Sequence, residues 1–120
     1  MAIEAGRLMI NRIKDCIRKN ESFAFETTLS GKGYISKIAE WKKQQYEIII
    51  YFFKLPSVEF AIERVKLRVS QGGHNIPEQD IRRRFERSWY NFNTFYKQLA
   101  DSWIVFDTSE NIPVILEESE

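Results

Sequence analysis

One cysteine, one histidine and three prolines are all that this 120-residue chain carries of three residue types that punctuate many other folds. With Cys16 alone, no intramolecular disulfide can form and no cysteine cluster can hold zinc. Cys16 falls beside Ile13 and Ile17 on an expected helix, and reads as a plain buried or half-buried thiol in a reducing compartment. His74 as the lone histidine excludes a histidine-based metal centre, and no metal site is expected. Neither sign of charge prevails: 18 Lys and Arg against 17 Asp and Glu leave +1. Such a balance gives no global drive toward nucleic acid or an acidic membrane, so any functional charge must be local. No apolar run approaches the ~18 to 20 residues that span a bilayer. Met1 to Asn11 lacks the basic-then-apolar pattern of a signal peptide, so the expected location is cytoplasmic.

What is present is an ordinary globular composition, 43% hydrophobic and 29% charged, with nine Phe among 14% aromatics. A chain of this length buries roughly 65% of its unfolded surface, enough for one domain spanning residues 1–120 with a ring-rich core. Its periodicity alternates between helix and strand. Ile3, Ile10, Ile13 and Ile17 recur at helical spacing; Ser22 to Thr28 (SFAFETT) is short, aromatic and β-prone. A second helix is expected over roughly Tyr34 to Gln44. Tyr46 to Leu55 (YEIIIYFFKL) is the near-continuous apolar run of a strand covered on both faces. Ser57 suits the N-cap of a third helix that Gly72 and Gly73 end. Pro77, Glu78 and Asp80 open a fourth, which runs to about Leu99 with Ile81, Phe85, Ser88, Phe92, Phe95 and Leu99 on one face. Trp103 to Asp107 reads as a third buried strand, and the acidic end after Ile112 to Leu116 as a solvated, frayed terminus. This alternation predicts an α/β fold with a parallel sheet and right-handed crossovers, its ligands beyond the carboxyl ends of the strands.

Two constellations could carry chemistry. Glu26, with Thr27 and Thr28, closes the first expected strand. A carboxylate and hydroxyls there can receive a substrate hydroxyl, or can be a solvated strand end with a turn-forming Thr pair. The second constellation is basic. Arg64 and Arg68 share one helix face, and beyond the Gly72-Gly73 break come His74, Arg82, Arg83, Arg84 and Arg87. Arginine forks on two helices joined by a glycine turn make a plausible phosphate-binding lid over residues 72–88. The alternative pairs them with Glu59, Glu63, Glu78 and Glu86 as a solvated face. His74 as a lone loop histidine is more simply incidental, and Lys32 between Gly31 and Gly33 a solvent-facing turn residue. No GxxxxGK[ST] phosphate loop occurs anywhere.

Ser22 to Gly31 (SFAFETTLSG) and Gly72 to Ser88 (GGHNIPEQDIRRRFERS), with Ala5-Gly6-Arg7 and Leu55-Pro56-Ser57, resemble the zeta-toxin-like family of P-loop kinases. The resemblance covers Ala5 to about Ser109. It implies a three-layer α/β/α fold with a parallel sheet, here of about three strands, and a helical lid. It also implies ATP- and Mg2+-dependent phosphorylation of a small hydroxyl-bearing substrate, including a UDP-linked amino sugar. By resemblance, Glu26 and Thr28 match the substrate-contacting acid and hydroxyl, and Arg64 the arginine that reaches the transferring phosphate. Where the family has a second phosphate-binding arginine this chain has His74, with Arg82, Arg83 and Arg84 one turn further on. Family members begin with a strand, the Walker A loop with its lysine, and a second strand bearing a catalytic aspartate. Met1 falls after all of these, so the chain alone is expected to bind no ATP or Mg2+ and to catalyse nothing.

The resemblance further implies that the absent first strand lies between the strands matching Phe23 to Thr28 and Tyr46 to Phe53. The chain is then expected either to pair those two strands directly or to keep a slot lined by Phe25, Ile48 and Ile50. Expected partners are an amino-terminal kinase fragment or an antitoxin, besides the small-molecule substrate. The competing reading is a non-catalytic interaction protein that reuses the fold as a binding surface. A basic-helix nucleic-acid module is disfavoured by the glutamates among the arginines.

Overall fold

The apolar run after Tyr46 becomes β1 (Ile49–Lys54), and Trp103 to Asp107 falls within β2 (Ser102–Asp107), in a computed structural model that describes residues 2–120 and side-chain surroundings from Arg7 onward. Ile3, Ala5 and Gly6 lie outside the described side chains. The two strands pair in parallel, from Ile49 opposite Ser102 to Lys54 opposite Asp107, as the crossover between them requires. The third strand is a different one from that expected. Val114–Glu118 forms β3, antiparallel to β2 at the sheet's edge, giving the order β1-β2-β3 and a mixed rather than parallel sheet.

That end is therefore not frayed. Ser119 Oγ accepts from the Trp103 amide at 2.9 Å and the Ser119 amide donates to the Trp103 carbonyl at 2.9 Å. Lys97 Nζ reaches Glu117 at 3.0 Å. A register shift at Val105/Phe106 lets a short, acidic edge strand bend along its neighbour.

Ser22–Thr28, read as a strand, joins no ladder. β-propensity measures fit to a pleated surface, and a strand exists only where a neighbour supplies hydrogen bonds. The segment is instead held by its rings. Phe23 meets Trp41 edge-on at 5.3 Å, and Phe25 lies 5.1 Å from Tyr34. Of the two outcomes expected for the first two strands, direct pairing is absent. Phe25, Ile48 and Ile50 pack against one core cluster instead.

Among the described residues, four long helices, a π turn and one short helix flank this sheet. They are α1 (Ala2–Arg18), α2 (Gly33–Lys43), α3 (Val58–Ser70) and α4 (Glu78–Asn91), followed by the π turn Phe92–Tyr96 and a short α5 (Lys97–Leu99). Ser57 caps α3 as its sequence predicts, accepting from the Phe60 amide at 3.2 Å. Gly72 at φ +93° ends it, and the Gly73 amide bonds the Arg68 carbonyl at 2.7 Å. A Cβ at Gly73 would meet that carbonyl oxygen at 2.8 Å, so only glycine fits without displacement.

The main core holds Ile13, Leu29, Ile38, Trp41, Phe92, Tyr96 and Val105. A second, smaller core of Ala61, Ile62 and Ile81, flanked by Leu55, Val65 and Phe85, joins α3 to α4. The expected single helix to Leu99 is broken by the π turn. That turn buries Phe92 and Tyr96 fully and leaves Phe95 half-buried, where unbroken α-periodicity had put Phe95 in the core.

The sheet is covered on one face only. Phe52 stacks on Phe92 at 4.7 Å, and Val105 is buried, whereas Ile49, Tyr51 and Phe53 on the other face are each more than half exposed. The described residues thus form two layers where three were expected. The radius of gyration, 15.6 Å, exceeds the about 13.5 Å usual for this length. No described helix is long and apolar enough to cross a membrane.

Candidate functional site

The carboxyl ends of β1 and β2 are locked together. The Thr108 amide and hydroxyl both donate to the Lys54 carbonyl, at 3.0 and 3.2 Å. Onto this junction comes Arg64 from α3: its Nη2 donates to the Thr108 carbonyl at 2.6 Å, and its guanidinium lies over the Phe60 ring at 5.4 Å. Asp107 accepts from the Ser109 amide at 2.8 Å; that bond holds its carboxyl below the usual range, and the Lys54 charge adds to the effect. Lys54 Nζ sits 4.2 Å from the Trp89 ring centroid, turning the end of β1 toward α4. A shallow groove of about 470 Å³ runs along α4 beside it, lined by Phe85, Glu86, Trp89, Tyr90, Asn93 and Thr94.

Glu26, Thr27 and Thr28 are exposed at the end of the unpaired segment, where it turns into the loop before α2. That segment runs in the direction of β1. Its start is fixed at the amino end of β1, where Tyr46 Oη donates to the Glu21 carbonyl at 2.9 Å and Tyr46 meets Phe23 at 5.5 Å. Its end is fixed beside α4, where Asn91 Nδ2 donates to the Leu29 carbonyl at 2.9 Å, next to the Phe92 ring that stacks on Phe52. Tyr96 Oη donates to the Gly31 carbonyl at 2.9 Å, and burial pushes the Tyr96 phenol above its ordinary pKa. The π turn makes this clamp, because residues five apart share a side only where the helix widens.

Between these anchors Leu29 is buried at φ +55°, a left-handed conformation that costs a branched residue about 1 to 3 kcal/mol. Thr28 Oγ1 and Ser30 Oγ share a 2.8 Å hydrogen bond across it. Replacing Asn91 by alanine removes the amide and leaves the Leu29 carbonyl unpaired in a buried position. Such a change is expected to cost about 1 to 3 kcal/mol and to lower the melting temperature by several degrees, measured by circular dichroism.

The lid residues divide. Arg82 is engaged by Glu78 at 3.0 Å and Glu59 at 3.7 Å, and Arg83 by Asp80 at 3.4 Å. The Glu78 hydrogen bond raises the Arg82 pKa further, so both arginines behave as the solvated face that the glutamates suggested. Arg68, His74 and Arg84 are exposed and form no ion pair among the described residues. Of the residues singled out in the sequence, Arg64 alone meets a strand end. No bond joins it to Glu26, Thr28 or the distal arginines among the described residues.

Sequence reasoning missed Asn91, Tyr96, Lys54 and Trp89. An asparagine amid an aromatic helix face was the one available signal for the first. No GxxxxGK[ST] loop occurs in the sequence, and no three His, Cys, Asp or Glu side chains cluster for a metal ion among the described residues.

An uncharacterized protein of Haemophilus influenzae is 31% identical to this chain over 83 residues, 69% of the chain. The match covers 59% of that protein, so the chain spans less than two thirds of its length. No protein-family model and no solved structure matches.

Proposed function

We propose that this chain forms the carboxyl-terminal part of a zeta-toxin-like P-loop kinase, supplying the substrate side and lid for phosphotransfer to a small hydroxyl-bearing substrate such as a UDP-linked amino sugar. Arg64 carries the reading: it reaches across from α3 to the carboxyl end of β2, where a parallel α/β pair places its ligand. There a guanidinium fork can offset charge on a transferring phosphoryl group. The pinned Glu26–Ser30 loop supports the other half, since an exposed carboxylate and hydroxyls on a strained, anchored loop are pre-organised to hold a substrate hydroxyl. Lys54 and the α4 groove extend this rim.

ATP and its Mg2+ require a phosphate cradle from outside these 120 residues, and a segment carrying GxxxxGK[ST] would complete the site. Mixing the chain with such a kinase fragment is expected to give UDP-amino-sugar-dependent ATP consumption that neither part shows alone. Arg64→Ala should then lower kcat about 10²- to 10³-fold. Turnover unaffected by Arg64→Ala would remove this role from Arg64.

A second reading, a non-catalytic binding partner for such a fragment or an antitoxin, is favoured by the open outer edge of β1. It predicts tight association with no turnover.

A further inference from the structure

We propose that the open face of the sheet, bearing Ile49, Tyr51, Phe53, Ile104, Phe106 and Ile115, is a homodimer interface, on which two copies stack across a two-fold axis. The register fixes this set. Tyr51 lies opposite Ile104, Phe53 opposite Phe106, and Phe106 opposite Ile115, so all six point to the same side of the pleat. Tyr51 and Phe53 both lean on Phe106, at 5.9 and 5.2 Å between ring centroids, which makes a continuous aromatic ridge rather than scattered apolar residues. Ile49, Tyr51, Phe53 and Ile115 are 51%, 57%, 58% and 52% exposed. All-parallel sheets are covered on both faces, and the parallel β1–β2 pair supplies most of this open face.

Area selects the occupant. The accessible surface is 9000 Å², against about 6,800 Å² for a folded monomer of this size. A half-exposed aromatic or isoleucine offers on the order of 100 Å², so the face presents roughly 500 Å² of apolar side chain per copy. Two copies would bury about 1,000 Å² before any rim contact, the threshold for a specific interface. Glu118 is the only charged residue whose register places it on this face, at a corner opposite Ile104, so self-stacking brings few like charges together at the centre. Two such twisted sheets pack face to face at about 10 Å, with strands crossing near 30°. An isologous contact puts the Tyr51–Phe106–Phe53 ridge against its own copy, and aromatic-rich, uncharged centres are what specific interfaces favour. The inference needs no kinase ancestry and is separable from the proposed function.

Sedimentation equilibrium of the full chain across micromolar concentrations tests it, alongside Phe53→Glu and, on another strand, Ile115→Lys. The expected result is a reversible dimer with a micromolar dissociation constant. Each variant should weaken it at least tenfold while far-ultraviolet circular dichroism stays unchanged. A chain that remains monomeric throughout overturns the proposal. So does a dimer that both folded variants preserve, which would assign association to the β1 edge, and so does open-ended assembly into larger species.

Discussion

Phe92→Ala is expected to cost about 3 to 5 kcal/mol, a large fraction of the 5 to 15 kcal/mol that holds a typical domain. Phe92 is fully buried and is the ring on which the sheet and the π turn meet. Phe52 stacks on it at 4.7 Å, Trp103 meets it edge-on at 5.9 Å, and Trp89 lies parallel at 6.2 Å. Removing it opens a cavity that three other rings cannot fill without leaving their own contacts. A thermal melt followed by near-ultraviolet circular dichroism should show a much lower midpoint, or no cooperative transition at 25 °C. Phe95→Ala, at a half-buried position one turn away, should cost much less. Equal losses at the two positions would contradict the rotation that the π turn imposes on this helix.

The second large effect concerns the unpaired backbone. Among the described residues, Ser22–Thr28 joins no ladder and no strand pairs with the outer edge of β1. Between them Phe25, Ile48 and Ile50 lean on the same core, so an inserted strand would meet apolar side chains as well as free amides. These amides lie at exposed and half-buried positions, so a strand that paired them would exchange water for protein partners at a net gain of about 0.5 to 1.5 kcal/mol each, besides the apolar area it covers. The chain alone is therefore expected to melt low. Under the proposed function, adding a kinase fragment that carries a strand and phosphate loop should raise the midpoint by ten degrees or more. A cooperative melt at high temperature with no shift on mixing would show that these residues need no inserted strand.

The legible parts of the fold were those where local chemistry and tertiary context agree. Ile48 to Phe53 is apolar on every residue, and so short a run rich in β-branched and aromatic residues, with Pro56 close behind, reads as a strand; the cover expected on both of its faces is present on one. Ser57 and Gly72 punctuate α3 by rules that act within a few residues. Ser22–Thr28 has the same local character as β1, yet its state depends on a partner that its own residues cannot specify. β3 was hidden because Glu117 and Glu118 alternate poorly with the apolar residues before them, and its anchors, Trp103 and Lys97, lie far back in the chain.

The candidate site divides in the same way. Arg64 was singled out because it shares a helix face with Arg68 and because the resemblance matches it to a phosphate-reaching arginine; its bond to the Thr108 carbonyl was not legible from either. The Asn91 and Tyr96 clamp on the Leu29–Gly31 loop spans more than sixty residues and depends on a π turn that α-periodicity does not anticipate. For Arg82 and Arg83 the sequence left two readings open, a phosphate-binding lid and a face paired with nearby glutamates. Glu59, Glu78 and Asp80 engage them on the helix surface.

Amide hydrogen exchange of the chain, with and without the strand-bearing fragment of the proposed kinase, reads the state of the β1 edge residue by residue. Ser22 to Thr28 and the outward-facing amides of β1 should exchange fast in the chain alone. Both stretches should gain protection together when the fragment binds, while Val105 and its β1 partner Phe52 stay protected throughout. Protection of Ser22 to Thr28 in the isolated chain, or no change in either stretch on binding, would contradict this expectation.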